Sequence, residues 1–141
     1  MTGRRRWLWI TLAVGLLATP AATEEAPAFA RLRCRPEAGP GRVLCELEVG
    51  SRVSERLAWA DGLVVESPAF AAPLRTRIGK SQASAAEATR LRLPIALAAT
   101  AEGQGRLSVT ARWVVCTKKL GCRSGATATS AEVRVGSVAE P

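Results

Sequence analysis

RLSVTARWVVCTKKLGCRSG, Arg106 to Gly125, is the stretch whose reading decides the fold of this 141-residue chain. Its first half alternates. Leu107, Val109, Ala111, Trp113 and Val115 fall on one face, with Arg106, Ser108, Thr110 and Arg112 on the other. That period of two predicts a half-buried β-strand. The strand runs into Cys116-Thr-Lys-Lys-Leu-Gly-Cys122, a short basic loop closed by two cysteines, with a glycine suited to a tight turn. Cys116 falls one step out of the inward register of Leu107 to Val115, which points it toward solvent.

The same alternation recurs outward from this stretch. Upstream, Leu91, Leu93, Ile95 and Leu97 alternate with Arg90, Arg92, Pro94 and Ala96. Pro94 lacks a ladder donor, which predicts an edge strand or a bulge there. Ala30, Leu32 and Cys34 share one side of a first strand, and Val43, Cys45, Leu47 and Val49 one side of a second. Between them, Pro36 to Gly41 is dense in turn formers, so a hairpin is expected that sets Cys34 across from Cys45. Leu57 to Ala60 and Leu63 to Val65 read as two strands around a tight Asp61-Gly62 turn. Ser67 to Pro73 reads as an irregular crossing anchored by Phe70, and Leu74 to Ile78 as a weaker strand. Gly79 to Glu87 reads as loop, with room for one helical turn over Ala83–Ala88. Ala131, Val133 and Val135 close the chain as a last strand. Seven or so short strands, with turn signals about every ten residues, predict an all-β, immunoglobulin-like sandwich.

The amino terminus is read differently. Arg4, Arg5 and Arg6 precede an apolar run from Trp7 to Ala18, and small residues follow at Thr19, Ala21 and Ala22. This is the pattern of an export signal over residues 1–22, cleaved after Ala21 or Ala22, with a domain over residues 23–141. The expected location is therefore periplasmic or secreted, without stable membrane insertion after cleavage. Removing residues 1–22 takes three arginines from a net charge of +8 and leaves +5. Seventeen of the 20 basic residues are arginines scattered along the strands. They read as a solvated basic surface, not as a nucleic-acid interface, which would want a basic patch with interleaved aromatics.

The chain contains no histidine, which excludes Ser-His-Asp and Cys-His catalysis. Sulfur is the best remaining candidate for chemistry. Four cysteines in an exported chain allow three pairings. Hairpin geometry favours Cys34–Cys45, and proximity favours Cys116–Cys122. Cys34 and Cys45 face the core, with nothing charged on their own face to activate a thiol, and read as a structural disulfide. Cys116 and Cys122 lie in an accessible loop with Lys118 and Lys119 between them, which favours a thiolate and so thiol–disulfide exchange. Residue chemistry alone nevertheless ranks a structural staple ahead of exchange for this pair. Zinc ranks lower again, because neither cysteine spacing is that of a metal knuckle.

The order Leu91-Arg-Leu-Pro94, Leu107-Ser-Val-Thr110, Cys116-x5-Cys122 resembles the periplasmic amino-terminal domain of the transmembrane disulfide reductase DsbD. The resemblance spans roughly residues 89–136, and residues 29–80 share its strand order. It implies an immunoglobulin-like domain whose cysteine pair, here Cys116 and Cys122, relays reducing equivalents to extracytoplasmic thiol–disulfide proteins. Such an exchange needs no metal or organic cofactor. Arg123-Ser124 stand where the family commonly has an aromatic residue and a proline, and Lys118 and Lys119 where acidic residues are usual. The aromatic cap that the family places over the pair would fall to Phe70 or Trp59. The competing reading is a non-enzymatic secreted immunoglobulin-like binding or scaffold domain with two structural disulfides.

Overall fold

Alternation in sequence becomes alternation in burial along three of the six long strands, those that carry Val43 to Val49, Leu91 to Leu97 and Leu107 to Val115. The structure is a computed structural model that describes residues 26–52 and 55–137; the expected export signal lies outside the described residues. Among those residues nine strands form: β1 (Ala28–Cys34), β2 (Gly41–Ser51), β3 (Arg56–Glu66), β4 (Ala71–Pro73), β5 (Arg77–Ile78), β6 (Ala85–Ala86), β7 (Arg90–Ala99), β8 (Gly103–Thr117) and β9 (Gly121–Val135). Every pair of neighbours within a sheet is antiparallel. One sheet has the order β1-β2-β7-β4, with β6 also on β7, and the other β5-β3-β8-β9.

The expected all-β sandwich is therefore present, as six long strands and three short ones. Val43, Leu47, Leu93 and Ile95 of the first sheet and Leu107, Val109, Val115 and Val133 of the second are buried in one common core. Each such side chain is worth about 1.5–3 kcal/mol when removed from water, and the polar partners alternating with them stay outside.

Four local expectations fail, each for a physical reason. Asp61-Gly62 is no turn: β3 runs straight through it, with Asp61 opposite Arg112 and Gly62 opposite Ala111. The glycine serves close packing, since a Cβ there would stand 2.6 Å from Leu47 Cδ2. Pro94 lies on neither an edge strand nor a bulge. It sits inside β7, in the gap between the short strands β6, which pairs at Leu91 and Arg92, and β4, which pairs from Leu97. The carbonyls of Arg92 and Ala96 both point to that side, and by the same parity the missing Pro94 N–H faces the gap. Gly79 to Glu87 forms no helical turn at Ala83–Ala88. A 3-10 turn at Lys80–Gln82 is followed by β6. Finally, β9 begins directly after the β8 loop and runs 15 residues, far longer than the expected Ala131–Val135. Its first ten residues are small and polar, so they lack the apolar alternation that marks a strand in sequence.

Asp61 organises the outer face of the second sheet. Its side chain is 1% exposed, although it points away from the core. Arg112 covers it with two hydrogen bonds, one of 2.8 Å from Nε to Oδ1, and Arg77 Nε donates a third at 2.9 Å. The Arg112 guanidinium also lies 5.5 Å from the Trp59 ring centroid. The hydrogen bond from Arg112 lowers the Asp61 pKa below its ordinary 3.8, against burial, which raises it, and Arg77 adds to the lowering. A depressed folded-state pKa contributes stability that is complete above the unfolded value and drains as pH falls through the folded one. Asp61→Ala should cost about 2–3 kcal/mol at neutral pH, below the figure for a fully buried pair because both arginines reach water. The variant should also lose less stability than the native chain as pH drops below about 4. Urea denaturation across that pH range measures both effects.

Candidate functional site

The two hairpins place the four cysteines in matching positions and different environments. Cys34 is opposite Cys45 across β1 and β2, and Cys116 is opposite Cys122 across β8 and β9. Both pairs are bonded, in the pairing expected from the sequence, and the described residues include no free cysteine. Cys45 belongs to the core and is 4% exposed, among Val43, Leu47 and Ile95. Cys34 is half-buried and packs against the same core.

Cys116 follows the buried Val115 and takes the opposite face, in the company of Arg112 and Val114. It is half-buried, and Cys122 is exposed. The loop beyond them is closed by the Leu120 N–H, which donates to Thr117 Oγ1 at 2.8 Å. Gly121 completes it with φ of +73°, a left-handed conformation that glycine adopts without a Cβ penalty. Lys118 and Lys119 are exposed in this loop, and Leu120 is 75% exposed at its tip.

Beside this bridge runs a groove of about 670 Å3, lined by Glu55, Arg56, Cys116, Thr117, Lys118, Lys119 and Leu120. Arg56 opens β3 directly across from Cys116. Neither aromatic proposed as a cap lies in that lining. Trp59 sits opposite Val114 with Arg112 against it, and Phe70 packs over Gly103 and Gly105 at the far end of β8. Glu55 is the residue that sequence reading missed. It stands in the polar run from Gly50 to Arg56, which by its composition reads only as a connection, yet its Oε2 is buried with no hydrogen-bond partner among the described residues. Nothing in the sequence next to it announces the groove, which forms only when the start of β3 meets the end of β8.

A second groove, of about 470 Å3, borders Cys34 and Cys45, so access alone does not distinguish the two bridges. The leaving sulfur does. Attack on Cys34 expels the Cys45 thiolate into an apolar core, where an anion is penalised. Attack at either end of the other bridge expels a thiolate at the surface, near Arg56, Lys118 and Lys119. Among the described residues no cluster of three or more His, Cys, Asp or Glu side chains is placed to hold a metal, and no helix is long and apolar enough to cross a membrane.

No family model matches the sequence, and no curated protein matches it. Among solved structures the chain is similar to BslA, a bacterial hydrophobin, at 12% identity and a TM-score of 0.40, covering 82% of this chain and all of that one. A likeness of that size carries no argument about function.

Proposed function

We propose that this protein is an exported thiol–disulfide exchange module that works through Cys116 and Cys122. The observation that carries the reading is the outward face of this bridge, whose sulfurs both leave into a cationic, solvated setting. In the reduced state the Cys116 thiolate, which borders the groove, attacks a partner disulfide. The partner's S–S bond breaks, one partner thiolate departs, and a mixed disulfide forms. The Cys122 thiolate then attacks Cys116 Sγ and releases the second partner thiolate. Two electrons have passed to the partner, and a protein dithiol donor restores the pair. Arg56, Lys118 and Lys119 favour the thiolate form of each attacking sulfur.

Two further observations support the reading. Two antiparallel sheets around one core are compatible with an immunoglobulin-like sandwich, the fold of the DsbD amino-terminal domain that residues 89–136 resemble. Two disulfides also suit a periplasmic or secreted location. The second reading, an inert binding or scaffold domain, draws on the matching cross-strand placement of both bridges, each a staple within its own hairpin. A redox titration separates the two. An exchanging Cys116–Cys122 pair should titrate above roughly −300 mV and react with glutathione. A potential below that value would leave the binding domain.

A further inference from the structure

The groove beside Cys116 carries unanswered charge. Arg56, Lys118 and Lys119 line it. None of the three makes an ion pair among the described residues, whereas Arg77, Arg90, Arg92, Arg112 and Arg134 all do. Among the described residues Glu55 is the single acid in the lining.

We propose that this groove docks an extended protein segment that carries acidic residues beside its reacting cysteine. The proposal rests on the exchange reading above and names the chemistry of the partner. Carboxylates flanking the partner's sulfur meet Arg56, Lys118 and Lys119, which speeds encounter and orients the segment. Leu120 gives the segment one apolar contact. A membrane surface fits less well. Among the described residues Leu120 is the only large apolar side chain in the lining, whereas interfacial binding needs a broad apolar face.

The test uses short synthetic peptides with one cysteine flanked by Asp and Glu, by Lys and Arg, or by Ser and Gly, each with a Cys→Ser twin. Mixed-disulfide formation with the oxidised protein is followed at about 20 mM and about 200 mM salt, which brackets the onset of strong screening. The acidic peptide should react at least about 10-fold faster than the basic one at low salt, and the advantage should shrink at high salt. In the K118E/K119E variant the order should reverse. The salt dependence of the unsubstituted chain keeps the test decisive if that variant folds poorly. Equal rates for all three peptides would overturn the docking proposal and leave exchange standing. If no peptide reacts but the acidic serine twin binds best by fluorescence anisotropy, the exchange reading fails and the acidic-segment site stands. Preferential binding to vesicles containing anionic phospholipid, over the acidic twin, would assign the groove to a membrane surface and overturn the proposal.

Discussion

Cys122→Ser should trap a mixed disulfide between Cys116 and a disulfide-bearing partner, while Cys116→Ser should trap little, and the double substitution should reduce exchange to the background of the reagents. The asymmetry follows from position. Cys116 lines the groove in which a partner would lie, whereas Cys122 stands opposite it on β9. With Cys122 replaced, nothing nearby resolves the mixed disulfide, so it persists. Non-reducing electrophoresis followed by peptide mapping reads the result. Trapping through Cys122 alone would exchange the roles of the two sulfurs. Undiminished exchange in the double variant would remove this pair from the chemistry. Stability should change little, because the bridge closes only the tip of a hairpin whose regular pairing with β8 continues to Val135.

Replacing Cys34 and Cys45 together by Ala should produce the converse result: a loss of about 2–5 kcal/mol of stability with exchange at Cys116 and Cys122 retained. Two costs combine here. The unfolded chain regains the freedom of a loop with a sequence separation of 11, and the sulfur of Cys45 leaves space in a core where it was 4% exposed. Guanidinium denaturation of the variant beside the native chain measures the loss. A drop in exchange as large as the drop in folded population, and no larger, is consistent with a purely structural bridge. Loss of exchange in fully folded variant protein would bring Cys34 and Cys45 into the chemistry.

The cysteine pairing and the opposite orientation of the two bridges were legible because strand register is a local property. A residue's parity along an alternating run determines its face, so Cys45 shares the face of Val43 and Leu47, and Cys116 opposes that of Val115. The sandwich itself was legible for the same reason, from the alternation in β1, β2, β7 and β8. Strand order was another matter. Which strands adjoin depends on contacts between residues far apart in the chain, and periodicity says nothing of those.

Asp61 shows where sequence reading misleads. Asp-Gly carries a turn signal, but here the aspartate is held in the middle of β3 by Arg112, 51 residues away, and by Arg77, 16 residues away. Those two partners outweigh the local preference, and Gly62 is kept small by Leu47 from the opposite sheet. Glu55 shows the complementary limit. The sequence by itself determined the β alternation, the facing of Cys34, Cys45 and Cys116 and the absence of histidine chemistry. Only the tertiary structure brought Glu55 and Arg56, at the start of β3, against Cys116 and Lys118, at the end of β8. Charge and side-chain type are written locally, but a groove is made by segments that meet only when the sheet pairs.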